Sequence, residues 1–264
     1  MRKPFRYLPA MRKWMLLPVL ALSGLAGGAA WWFREPLLKW THEVRSAVVP
    51  KPKPDPKRYV VLVSELQRWR ADLAKKLKQA RTPAETAAVE HDARILLETT
   101  LPELMRCWLG TPWDFNGTAA KPGGGKIACG YFVSTVLMDA GFKVDRYQLA
   151  RQASGNIMRS FLEKDDCRLT VDQPYEQFAD GVSKAEPGIY LLGLDTHVGF
   201  LVVTADGFRM LHSSGCEPWC VVDESRENAW ALKRSSWRMI GNLTADSRVI
   251  RRWLKAEKIA VVGT

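Results

Sequence analysis

The apolar positions of this chain repeat at helical spacing in its first half and form strand-like runs in its second half. Between residues 59 and 81 a pattern returns every three or four residues, at Val63, Leu66, Trp69 or Arg70, Leu73 and Leu77. That spacing places them on one face of an α-helix. We therefore predict a helix over this segment, packed through its apolar face.

A second helix is predicted to begin at Pro83. Thr82 and Glu85 have the spacing of a capping box, in which two side chains bond the unpaired amides of a helix start, and proline is favoured in the first turn. The helical pattern continues to Glu98. A third, shorter helix is then predicted to begin at Pro102. We interpret the apolar stripes of these helices as packing surfaces.

Two apolar runs in the second half, HVGFLVV and FRMLHSS, predict a β-hairpin. The segment TADG separates them, and its Asp206 and Gly207 form a dipeptide that strongly favours a tight turn between antiparallel strands. Antiparallel pairing would bring His197 and His212 near the same end of neighbouring strands. The remaining C-terminal sequence, around Trp237, predicts further strands and a short helix.

Residues 14–33 form an uncharged, mostly apolar run that follows a basic N-terminal stretch. A helix of about 20 apolar residues can cross a bilayer, and tryptophans near both ends of the run would lie in the interfacial regions. We predict a transmembrane helix. The alternative is a cleaved signal peptide, since GLAGGAA offers small residues for processing. The run is longer than the roughly 7–15 apolar residues of a typical signal core, which favours the uncleaved anchor.

The net charge of +11 belongs mostly to the N-terminal segment. Residues 1–58 contain 12 Lys and Arg against 3 Asp and Glu, which leaves 27 basic and 25 acidic residues for 59–264. A nearly neutral domain without a basic stripe argues against nucleic-acid binding.

The proline-spaced sequence VVPKPKPDPKR indicates an extended linker. We therefore divide the chain into an anchor with its linker, residues 1–58, and one domain, residues 59–264.

Cys129 is the candidate nucleophile. It opens an apolar segment, CGYFVSTVLMDAG, that follows the glycine-rich stretch KPGGGKIA. A helix start stabilises an anion and can lower the pKa of a thiol, so we expect a reactive thiolate there. His197 could act as its base, with His212 holding the imidazole in place. The alternatives are a buried structural thiol and two ordinary hydrogen-bonded histidines.

The order of these motifs resembles the NlpC-type cell-wall cysteine peptidases of the papain-like superfamily. The resemblance covers about residues 101–214 and rests on Leu109, Gly110, Pro112, Trp113, Cys129, Pro187, Gly188, His197, Val198, Gly199 and His212. Ala128 and Gly130 stand where this family has Asp and Ser on either side of the nucleophile. Trp113 stands where the family commonly has a tyrosine.

The resemblance implies a papain-like α+β domain, with helices packed on an antiparallel sheet, behind the N-terminal transmembrane helix. It implies hydrolysis of an amide bond in peptidoglycan stem peptides by Cys129, His197 and His212, on the periplasmic or extracellular side of the membrane. Trp113 and Gly125 are the candidates for contacts with substrate or oxyanion. The alternatives are an inactive cell-wall-binding module and an acyltransferase with the same Cys and His residues.

Five cysteines leave an odd thiol if the others pair. Cys129 is the expected free one, and Cys216 and Cys220 are the closest candidates for a disulfide. A zinc site from His212 and these two cysteines is the alternative, but three local ligands at this spacing match no standard zinc pattern. GGGK also lacks the spacing of a phosphate-binding loop. We predict no cofactor and no metal, and the sequence does not indicate an oligomeric state.

Overall fold

A computed structural model describes residues 52–263, which belong to the compact unit Pro52–Thr264. The predicted transmembrane segment, residues 14–33, lies outside the described residues. Within 52–263 no helix is both long and apolar enough to cross a membrane. The described part is an α+β domain with eight α-helices and one six-stranded sheet, which confirms the predicted fold class at this level.

Along the described part of the chain, the eight helices lie before, between and after the strands. They are α1 Pro56–Gln79, α2 Pro83–Arg106, α3 Cys129–Asp139, α4 Arg146–Ala150, α5 Ser154–Phe161, α6 Tyr175–Ser183, α7 Trp230–Arg234 and α8 Ser247–Leu254, with a 3-10 turn at Lys164–Asp166. The six strands are β1 Arg168–Val171, β2 Gly188–Leu194, β3 Val198–Thr204, β4 Gly207–Ser213, β5 Val221–Ser225 and β6 Trp237–Asn242.

All neighbouring strands of the sheet are antiparallel, in the order β1-β6-β2-β3-β4-β5. The predicted hairpin is confirmed, because Thr204 pairs with Gly207 across the turn between β3 and β4. In this register His212 faces Gly199 at the far end of the hairpin. The two candidate histidines therefore come from the same end of adjacent strands.

Helices cover both faces of the sheet, so β2, one of its two central strands, is buried on each side. Along β2, Ile189 and Leu191 pack in the larger core together with residues of α2, α3 and α5, whereas Tyr190 and Leu192 pack in a second core under α6 and α7. Alternating residues of a strand point to opposite faces. This explains why the sequence of β2 is a continuous apolar run.

Helix α1 begins slightly earlier than the sequence indicates. The Asp55 side chain accepts a hydrogen bond from the amide of Arg58, and Pro56 occupies the first turn. The Asp55 amide also donates to the carbonyl of Cys107 at 2.8 Å. The last residues of the predicted linker are thus part of the folded unit.

The capping box at the start of α2 is confirmed, but the predicted break near Pro102 is wrong. Pro83–Arg106 is one helix with Pro102 inside it. Leu97, Leu101 and Leu104 are fully buried and continue one stripe across the proline. Proline removes a single helical hydrogen bond. Burial of this stripe on both sides of Pro102 keeps the helix continuous.

Candidate functional site

Cys129 is the first residue of α3, as predicted. Its preceding residue, Ala128, is the N-cap and provides no side-chain hydrogen bond to the helix start. The first amides of the helix are therefore available to other groups. Phe132, Val133 and Val136 are fully buried and hold α3 against β3 and β4. The core thus fixes the position of the thiol relative to β3 and β4.

The sulfur of Cys129 lies in an environment of backbone amides and apolar atoms. The amides of Val198, Gly130 and Cys129 itself hydrogen-bond to it and lower its pKa, but burial has the larger effect, so the pKa of Cys129 is raised. The expectation of a lowered pKa, based on the helix start alone, is therefore wrong. Removal of the thiolate from water outweighs the helix dipole.

His197 and His212 are brought together, as predicted, and a third residue joins them. His197 Nε2 lies 2.7 Å from His212 Nδ1, with the two rings nearly perpendicular. His212 Nε2 lies 2.9 Å from Oε2 of Glu224 on β5. His212 is fully buried and Glu224 is largely buried. The site therefore contains a chain of three polar side chains from three adjacent elements.

This chain determines which ring nitrogens carry protons. An ionised Glu224 only accepts hydrogen bonds, so His212 must donate through Nε2 and accept through Nδ1. His197 must then donate its Nε2 proton to His212. A neutral His197 consequently has its lone pair on Nδ1, which leaves this nitrogen free to accept a proton.

The environment of His197 favours its neutral form. Burial, the larger cause, and the repulsion that a protonated His212 would exert lower the pKa of His197 from 6.5 to about 3. Together with the raised pKa of Cys129, this makes a neutral thiol and a neutral imidazole the resting state.

Small residues let the strands carrying the histidines approach the nucleophile. A Cβ atom on Gly199 would lie 2.9 Å from Cβ of His212, so this position has no room for a side chain. On the other side, the Ser213 hydroxyl donates to the carbonyl of Ile127 at 2.7 Å. This bond ties the residue after His212 to the segment that leads into Cys129.

Gly130 is required for a close contact between α3 and α4. A Cβ atom at this position would lie 2.3 Å from the carbonyl oxygen of Ala150. The position next to the nucleophile therefore cannot carry the serine of the resembling family without a backbone shift. The sequence shows a glycine at this position, and only the tertiary structure shows the contact with Ala150 that requires it.

A cleft of about 840 Å³ opens over Cys129 and His197. Trp113 lines it, as the sequence predicts for a substrate contact, and its ring lies 5.4 Å from that of Trp219. Gly125 does not line this cleft. It lies beside a separate shallow depression formed by the loop around Lys126, so its predicted role at the substrate is not supported by its position.

None of the five cysteines forms a disulfide bond in the structure. Cys216 lines the cleft, and its sulfur lies 3.3 Å from the hydroxyl of Ser214. A bridge to Cys220 stays a prediction for protein kept in an oxidising compartment. Within residues 52–263 no cluster of three metal-ligating side chains is found. Both ring nitrogens of His212 are engaged by His197 and Glu224, which argues against its use in a zinc site.

Glu224 is the site residue that sequence reasoning missed. It lies in VVDES, a short segment with no motif around it. Its position follows from strand pairing: His212 pairs with Val222, so Glu224 is the diagonal neighbour of His212 on β5. The only local signal is an acidic residue on the strand after the second histidine. It indicates a partner of His212 only when the register of β4 with β5 is known.

Comparisons of this chain with protein-family models, with curated proteins and with solved structures gave no match. The likeness to NlpC-type peptidases therefore rests on the residues named in the sequence analysis.

Proposed function

We propose that this protein is a cysteine-dependent hydrolase of amide bonds. The observation that carries the proposal is the arrangement at the cleft. Cys129 at the start of a helix and His197 line the same cleft, and His197 is linked through His212 to Glu224. By the sequence resemblance, the substrate is a stem peptide of peptidoglycan and the catalytic domain is exported and membrane-anchored.

The proposed reaction begins with attack of the Cys129 sulfur on the amide carbonyl carbon. The thiol proton passes to His197 Nδ1, and the carboxylate of Glu224, acting through a neutral His212, stabilises the imidazolium that forms. The first amides of α3 are suited to stabilise the oxyanion. His197 then returns the proton to the leaving amine as the C–N bond breaks. Water, deprotonated by His197, hydrolyses the thioester and releases a carboxylic acid and the free thiol.

The first prediction tests the nucleophile and its base. Full-length protein in detergent should cleave purified muropeptides, and Cys129→Ala and His197→Ala should each reduce the initial rate to background. The double variant should be scarcely slower than either single variant, because residues that act as a unit have non-additive effects. Product masses identify the bond cleaved, and circular dichroism checks that each variant is folded.

Variants of His212 serve as the matched comparison. His212→Ala should leave measurable turnover, and His212→Asn should lose less activity because an amide can still accept a hydrogen bond. An inactive His212→Ala beside a fully active His197→Ala would reverse the two roles. Full activity of Cys129→Ala would refute Cys129 as the nucleophile, and muropeptide binding without cleavage by the wild type would indicate a cell-wall-binding module. Transfer to an added amine in place of water would identify an acyltransferase.

A further inference from the structure

The charges around the cleft are unevenly distributed. Apart from His197, Arg151 is the single ionisable basic side chain that lines it among residues 52–263, and no Asp or Glu of this range lines it. Arg151 directly follows α4, whose last carbonyl contacts the backbone at Gly130. Arg151 follows Ala150, Ala150 packs against Gly130, and Gly130 follows the nucleophile. Arg151 is therefore held close to Cys129.

Within residues 52–263, Arg151 has no protein partner for its charge. Its side chain has neither a hydrogen bond nor an ion pair within the described part of the chain, and the residue is exposed at the cleft. The acidic groups near the cleft are engaged elsewhere: Asp114 pairs with Lys126 at 3.1 Å, and Glu224 binds His212. A guanidinium is always ionised and fits a carboxylate through two parallel hydrogen bonds.

A second positive charge lies behind the cleft wall. The Arg146 side chain is buried, and its hydrogen bonds go to the neutral oxygens of Thr135, Thr118 and Ala119. Its guanidinium also lies 5.0 Å from the ring centre of Tyr131, which lines the cleft. Asp139, whose pKa burial raises and Arg146 lowers, offsets part of the Arg146 charge. The uncompensated positive charge at the cleft is therefore that of Arg151, together with the positive end of the α3 dipole.

We propose that the substrate carries a carboxylate, bound by Arg151 on the α4 side of the cleft, and that this side takes no free ammonium group. The proposal rests on the hydrolase function proposed above and specifies its substrate class: an anionic peptide with a carboxylate close to the scissile amide. An ammonium group there would meet Arg151 and no carboxylate to neutralise it.

The test measures binding separately from turnover. Full-length Cys129→Ala protein in detergent is titrated calorimetrically with a synthetic N-acetylated stem peptide, and with the same peptide after its carboxylates are converted to carboxamides. The carboxylate form should bind about three- to tenfold more tightly. Arg151→Gln should remove this preference. Arg159→Gln, an exposed arginine of α5 outside the cleft, should retain it.

Each remaining outcome is decisive. Equal binding of the two peptides, no binding of either, or a preference that survives Arg151→Gln would overturn the proposal. Tighter binding of the peptide with a free N-terminal amine than of its acetylated form would also overturn it. Wild-type protein incubated with the same peptides tests hydrolysis independently: preference without cleavage removes only the hydrolase function, and cleavage without preference removes only the carboxylate site.

Discussion

At the scale of single residues, Glu224 gives the two histidines different roles. Its carboxylate accepts the Nε2 proton of His212, and this leaves His212 able only to accept from His197. The carboxylate also stabilises the positive charge that develops on the pair when the thiol proton is transferred. Without it, the tautomers of both rings are no longer determined by the protein.

We predict that Glu224→Gln lowers kcat by about tenfold or more and leaves KM little changed, because the glutamine amide is neutral and lies outside the cleft. The measurement is initial rate against muropeptide concentration. Glu227→Gln, an exposed neighbour in the turn after β5, is the control and should behave as wild type. A wild-type kcat for Glu224→Gln would exclude a role for this carboxylate in the proton chain.

The pKa of Cys129 leads to a second residue-scale prediction. Burial raises the pKa of this thiol above its usual value of 9.0, so the thiolate should form only in alkaline solution. Iodoacetamide should therefore alkylate Cys129 more slowly than a model thiol at pH 6, with a rate that rises above pH 9. Peptide mapping by mass spectrometry assigns the label. A rate plateau below pH 7 would instead show a preformed thiolate–imidazolium pair.

At the scale of elements, the contact between α3 and α4 positions both the nucleophile and the cleft wall. Gly130 lies against the carbonyl of Ala150, and Arg146 of α4 binds the hydroxyl of Thr135 on α3 at 2.6 Å. Because the atom that crowds Gly130 is backbone, the contact cannot relax by a side-chain rotation. The start of α3 and the end of α4 must move together.

We predict that Gly130→Ala lowers the free energy of unfolding by about 1–3 kcal/mol, the usual cost of overpacking, and reduces muropeptide cleavage by displacing Cys129. Urea unfolding and initial rates measure the two effects. Gly181→Ala in α6 is the matched control, since its new Cβ would have only an ordinary contact, 3.6 Å from Arg168. Replacing a helical glycine there should be neutral or stabilise by about 0.5–1 kcal/mol. Equal stability of the two variants would contradict the close contact.

At the scale of the whole domain, the sheet and its helices keep His197 neutral. Burial and His212 lower the pKa of His197 from 6.5 to about 3, so the unfolded chain binds a proton in this pH range that the folded chain does not. The resulting contribution to stability is present above pH 6.5 and is lost as the pH falls toward 3. Folding and acid sensitivity are thus coupled through the site.

We therefore predict that the free energy of unfolding falls more steeply between pH 7 and pH 4 in wild type than in His197→Gln. The variant removes the proton-binding group in both the folded and unfolded states, so the difference between the slopes isolates this histidine. Urea titrations at several pH values provide the measurement. Parallel pH profiles for the two proteins would mean that His197 has the same pKa in the folded and unfolded states.

The sequence by itself determined the features that depend on local pattern. The helical stripe around Leu66, the capping box at Thr82 and the Asp206–Gly207 turn each encode their structure within a few residues, and each is found in the fold. The α+β fold class was predicted from these elements together with the family resemblance. They also placed His197 and His212 together, because a hairpin of known turn aligns the ends of its strands.

Tertiary structure alone decided the features that depend on residues distant in sequence. The register of β4 with β5 brings Glu224 to His212, and the carbonyl of Ala150 requires Gly130. Burial reversed the expected shift in the pKa of Cys129, because desolvation depends on everything packed around the sulfur, whereas the helix dipole is visible in the local sequence. The same packing kept α2 continuous through Pro102, since its neighbours in the core outweigh the local preference for a break.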